Sequence, residues 1–188
     1  MKDIRTFQYF TGNQWHDPIE GQYIESENPA TGEIWARIPD CRQADVDLAV
    51  ANAKSAFYQG PWGRMQPAER GRTLRRIGDL ISKSAERLGA IETTDNGKLT
   101  AMITPGLREG QWLVDSWHYY AGMCDKFEGS LIPAEVPNTH NYMKWVPFGP
   151  VAQILPWNSP LGTLFWKLAP CLAAGNTVVL KPSEHSSA

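Results

Sequence analysis

Residues 148–188, F-G-P-V-A-Q-I-L-P-W-N-S-P-L-G-T-L-F-W-K-L-A-P-C-L-A-A-G-N-T-V-V-L-K-P-S-E-H-S-S-A, limit the fold of this chain more than any other stretch. Two short runs, Val151–Leu155 and Thr177–Leu180, are rich in Val, Ile and Leu, the composition of buried parallel strands. Between them Leu161, Leu164, Phe165, Leu168 and Leu172 recur at helical spacing. Pro160 fits a first helical turn, where its missing N–H is not needed, and Gly175 fits just past a helix end. The stretch therefore predicts strand–helix–strand, a right-handed crossover unit of a parallel sheet.

Such sheets bind ligands outside the carboxyl ends of their strands. Trp157 and Asn158 follow the first predicted strand, and Lys181, Ser183 and Glu184 follow the second. Two strand ends thus bring an amide, an ammonium and a carboxylate toward one crevice. An amide N–H is suited to a developing oxyanion, and Lys181 with Glu184 to the hydroxyls of a ribose. Each has a plainer reading. Asn158 is a favoured helix cap residue, and Lys181 with Glu184 is also an exposed ion pair of little worth.

The I-L-P-W-N-S-P and A-A-G-N-T-V-V-L-K-P-S-E segments, with Lys167 and Pro170 between them, resemble the NAD(P)-dependent aldehyde dehydrogenase superfamily. The resemblance runs upstream through N-P-A-T-G-E (Asn28–Glu33), P-W-G-R-M (Pro61–Met65), E-T-T-D-N-G-K (Glu92–Lys98) and Y-Y-A-G (Tyr119–Gly122). It covers essentially the whole chain, which looks like the first part of such an enzyme. It implies oxidation of an aldehyde to a carboxylic acid with NAD(P)+, through a cysteine thiohemiacetal. It implies an oxyanion-hole role for Asn158, and cofactor contacts from Ile154, Leu155, Pro156, Trp157, Lys181, Ser183 and Glu184. NAD is the expected cofactor, because a carboxylate at Glu184 repels a 2′-phosphate; NADP is the alternative, because Lys181 attracts one. The family's nucleophile and its glutamate base match no position here, so the chain is expected to be a truncated portion, inactive alone. The alternatives are a non-catalytic interaction protein that pairs with a full-length relative, or a bare nucleotide-binding module.

The expected fold is an α/β, Rossmann-like but incomplete parallel-sheet cofactor domain, with N-terminal helices, a small antiparallel meander and a projecting β-hairpin. Residues 1–128 are assigned to the N-terminal part of the cofactor domain, 129–147 to the hairpin, and 148–188 to the first strand–helix–strand. Short strands are predicted at Phe7–Phe10, Gln22–Glu25 and Glu33–Ile38, with turns at Gly12–Asn13 and Glu20–Gly21. Apolar stripes predict helices over 43–57, from Pro67 to a stop at Asn96–Gly97, and over 107–127. Gly129–Val136 and Asn141–Val146 read as the hairpin, which in the resembled family pairs with another subunit. That implies a homo-oligomer, dimer or tetramer.

The remaining composition excludes classes. Net charge is −2 with no basic block, so neither nucleic acid nor an anionic membrane is expected as partner. M-K-D-I-R-T-F has no apolar core of a signal peptide. Cys41, Cys124 and Cys171 are an odd, scattered set, as in a reduced, cytoplasmic protein, and no close His/Cys pair argues for a metal. Cys171 reads as a buried small hydrophobe, Lys167 as a snorkelling surface residue, and Arg70, Arg72, Arg75 and Arg76 as a solvated face. Trp112 and Trp117 are expected near the mouth of a substrate tunnel. No G-x-G-x-x-G is present, which counts against an ordinary Rossmann dehydrogenase.

Overall fold

The computed structural model describes residues 4–188; the first three residues of the opening M-K-D-I-R-T-F stretch lie outside it. The chain begins with β1 (Arg5–Thr6), β2 (Tyr9–Thr11), β3 (Gln14–His16), β4 (Tyr23–Asn28) and β5 (Glu33–Pro39). Of the strand predicted over Phe7–Phe10, only Tyr9 and Phe10 lie in a strand, β2, and Phe7 and Gln8 separate it from β1. β1 stops at Thr6 and lies parallel to β5, while β2 pairs antiparallel with β3 around Gly12–Asn13. The predicted antiparallel meander is therefore a mixed sheet of order β1-β5-β4 with a separate hairpin beside it. Alternation marks a strand but not its partner. Ala36 and Ile38 are buried on β5, and the far edge of that strand takes the distant N-terminus as its neighbour.

Five helices follow: α1 (Gln43–Tyr58), α2 (Pro67–Lys83), α3 (Ala85–Asn96), α4 (Thr100–Ile103) and α5 (Trp112–Met123). The single helix predicted from Pro67 onward breaks at Ser84, whose backbone (φ −103°, ψ 9°) leaves the helical region. Past the break Ala85 still enters the core, but Leu80, on the predicted apolar side, faces solvent. The segment predicted helical from residue 107 starts instead at Trp112. Thr104–Leu107 form a 3₁₀ turn, and Gly110 adopts φ +74°. Three of the four clustered arginines are solvated, but Arg70 is not; its Nε donates to Ala173 O at 3.0 Å.

Then come β6 (Ser130–Ile132), β7 (Asn141–Met143), β8 (Pro150–Ile154), α6 (Pro160–Ala173) and β9 (Thr177–Lys181). β6 and β7 form the predicted hairpin, shorter than expected, with residues 133–140 in its loop. Pro133 and Pro137 lack the N–H that a longer ladder would use. α6 packs through Phe165, Ala169 and Ala173 into one core with Leu74, Leu107, Val114 and Trp117. Gly175 ends it at φ +94°, as predicted. β8 and β9 are parallel and adjacent. Their expected burial is only partial, since Ile154 and Leu180 are exposed while Gln153 and Thr177 are buried. The Nε2 of buried Gln153 donates to Lys167 O at 2.9 Å, while its Oε1 is left without a hydrogen-bond partner.

Candidate functional site

The register of β8 and β9 sets the site. Ile154 lies opposite Lys181, and the Leu155 N–H donates to Lys181 O at 3.0 Å. Both strands finish together, so the loops that follow them leave the sheet from adjoining points. Leu155 turns inward at 3 % exposure and anchors the loop, while Ile154, Pro156, Trp157 and Asn158 face outward.

Asn158 is not the helix cap. The cap position of α6 is Ser159. Among the described residues none hydrogen-bonds the Asn158 amide, which is left exposed at the strand end. Lys181 Nζ lies 3.0 Å from Glu184 Oε2, with both side chains more than half exposed. Glu184's own backbone N–H and the Lys181 ammonium hold its carboxyl below the usual range. Exposed as it is, the pair adds little to stability. It leaves ammonium hydrogens and carboxylate lone pairs open to a polyol. Ser183 differs from its neighbours: it is buried, and its Oγ accepts the His185 N–H at 3.3 Å. Its hydroxyl shapes the turn that carries Glu184.

Three contacts here were not predicted. Lys167, read as a snorkelling surface residue, donates from Nζ to Ile154 O at 2.6 Å and ties α6 to the end of β8. Nothing in helical spacing sets this lysine apart from a solvated one. The Asn96 side-chain amide donates to Trp157 O, and Lys98 Nζ donates to Ser159 Oγ at 3.0 Å. The E-T-T-D-N-G-K segment signalled these residues, but it reads by itself as a helix stop.

The aromatic residues divide. Trp117, expected at a tunnel mouth, is 1 % exposed and packs edge-on against Phe165, so it belongs to the core. Trp112 is exposed and packs edge-on against exposed Trp166, with ring centroids 6.2 Å apart. The Trp112 ring reaches the first turn of α6, 3.6 Å from where a Cβ on Gly162 would sit.

None of the thiols is activated. Cys41 is pushed up to about 11 by partial burial and by the Asp45 and Asp40 carboxylates. Burial also raises Cys124 and Cys171, the latter half-buried. A thiol above its ordinary range is scarcely ionised near neutrality, and the thiolate is the nucleophile.

Comparison with known proteins adds an independent finding. Residues 15–188 match the model of the aldehyde dehydrogenase family. The chain is 41 % identical over 185 residues to a (Z)-2-((N-methylformamido)methylene)-5-hydroxybutyrolactone dehydrogenase of Acinetobacter baylyi, covering 98 % of this chain and 37 % of that protein. It is 40 % identical over 180 residues to human mitochondrial aldehyde dehydrogenase, covering 95 % of this chain and 34 % of that one. Its fold superposes on the NAD+ complex of an aldehyde dehydrogenase from Bacillus cereus with a TM-score of 0.91 and 36 % identity, covering 97 % of this chain and 36 % of that chain. The chain thus spans about a third of the length of these relatives.

Proposed function

Since this chain belongs to the aldehyde dehydrogenase family, we propose that it supplies the nucleotide side of an enzyme that oxidises an aldehyde to a carboxylic acid with NAD+. The observation that carries the reading is the unengaged Asn158 amide and the open Lys181–Glu184 pair, each just past one of two adjoining strand ends. Lys181 and Glu184 would hold the ribose hydroxyls of the cofactor. Ile154, Leu155, Pro156 and Trp157 form the wall along the first strand end, and Ser183 holds the second turn in shape. A nicotinamide cofactor held there would supply the hydride acceptor for the oxidation. Asn158 donates its amide N–H to the oxygen that becomes negative when the aldehyde carbon turns tetrahedral. Glu184 disfavours a 2′-phosphate and so favours NAD over NADP; Lys181 moderates the preference.

The nucleophile and the general base come from outside these residues. Burial raises the thiols of Cys41, Cys124 and Cys171 and makes them poor nucleophiles, so the chain by itself should form no NADH from an aldehyde. The exposed Trp112–Trp166 pair offers an apolar wall to the organic part of the aldehyde. The hairpin of β6 and β7, which exposes Leu131 and Tyr142, supports self-association as the mode of assembly. Three unpaired cysteines are consistent with a reducing compartment, with the cytoplasm as our reading. Among the described residues, no helix is long and apolar enough to cross a membrane.

The test is Asn158→Ala in the full-length enzyme. It should lower kcat by about a hundredfold or more, the usual effect of losing one oxyanion donor, and leave NAD+ affinity nearly unchanged. An unchanged kcat would overturn the reading.

A further inference from the structure

We propose that Asn96 and Lys98, at the end of α3, are positioning residues that hold Asn158 in its working geometry. The inference rests on Asn158 being the oxyanion donor, and goes beyond it to what aims that donor.

Two three-residue segments face each other. Asn96, Gly97 and Lys98 leave α3, and Trp157, Asn158 and Ser159 lead into α6. Asn96 donates to the carbonyl of Trp157, and Lys98 donates to the hydroxyl of Ser159 at 3.0 Å. The residues on either side of Asn158 are thereby fixed by side chains, and its own amide is left to the crevice. Gly97 makes the double contact feasible. Its φ of +80° turns the chain sharply out of α3, while its N–H still caps the helix on Thr93 O at 3.0 Å. A residue with a Cβ would be strained at that φ and would meet Pro29 at 2.9 Å.

Behind the clamp sits Glu92, whose side chain is 1 % exposed, with Lys98 Nζ 3.8 Å from its carboxylate. The Leu161 N–H, in the first turn of α6, also favours its charged form. Neither carboxylate oxygen has a close hydrogen-bond partner. A buried carboxylate so weakly compensated is a poor device for stability. It is a good device for aiming Lys98, whose flexible stem would otherwise sample solvent. Gly162 completes the packing, because a Cβ there would come 2.8 Å from Ser159 Oγ. The first turn of α6 closes directly onto the hydroxyl that Lys98 holds.

A donor displaced by about 1 Å from its working position costs about a hundredfold in rate. Releasing one side of the clamp should cost less than deleting Asn158. In the full-length enzyme, Asn96→Ala and Lys98→Met should each lower kcat about tenfold, with KM and NAD+ affinity within about twofold. Lys98→Arg, which keeps a cationic donor, should recover most of the loss. Asn96→Asp, similar in shape but without the N–H, should behave like Asn96→Ala and serves if that variant folds poorly. The deciding comparison is with Asn158→Ala. In that background the clamp substitutions should lower kcat no further, because the residue they position is gone. Equal losses in both backgrounds, or none in either, would overturn the inference. If Asn158→Ala were itself silent, the reading of Asn158 would fail, and the clamp with it; that outcome is separately visible.

Discussion

Glu92 is a buried acid on α3 with a raised pKa. Burial pushes its carboxyl above the ordinary range, against the opposing pull of Lys98 and the Leu161 N–H. An acid whose pKa is raised by folding keeps its proton longer in the native state than in the unfolded one. Its contribution to stability is full below the unfolded value of about 4.3 and is lost as pH rises through the folded value. Melting temperatures of the native chain and of Glu92→Gln, compared from about pH 4 to about pH 8, should show this. The native chain should lose ground to the variant as pH rises through and above the carboxylate range, then run parallel to it. A constant difference would mean that Glu92 titrates normally. At this scale, legibility followed sequence distance. Asn158, Lys181 and Glu184 could be picked out because each lies just past a strand within one short unit. Asn96 and Lys98 could not, because each meets its partner 61 positions away.

Among the elements, α6 shows how distant side chains finish what local propensity begins. Its start and stop were readable from Pro160 and Gly175. What holds its end was not. Arg70 Nε donates to Ala173 O from α2, and the Asn176 side chain donates to Cys171 O at 3.1 Å. Asn176 Oδ1 also accepts the Gly149 N–H at 3.1 Å, and Trp62 donates to its carbonyl at 2.9 Å. Asn176 is 6 % exposed, so Asn176→Ala would leave the buried Gly149 N–H without a partner, while the Cys171 carbonyl keeps the backbone N–H of residue 176. For that one orphaned group the loss should be about 1–3 kcal/mol, read from the midpoint of urea unfolding. A loss below about 0.5 kcal/mol would show that water replaces the bond. The break at Ser84 and the late start of α5 have the same origin. Apolar periodicity runs on through both places, and tertiary packing decides where the helix gives way.

At the scale of the molecule, the helices, the hairpin and the parallel pair were legible, because each has its own period and punctuation. The pairing of β1 with β5 was not, since it joins segments about thirty residues apart through backbone alone. In the proposed function the nucleotide lies at the adjoining ends of β8 and β9. Amide hydrogen exchange of the full-length enzyme, with and without saturating NAD+, tests that claim most directly. Exchange at Trp157, Asn158, Ser183 and Glu184 should slow, while the β6–β7 hairpin and the β4–β5 sheet stay unchanged. NAD+ that binds without slowing exchange in either strand-end loop would contradict it.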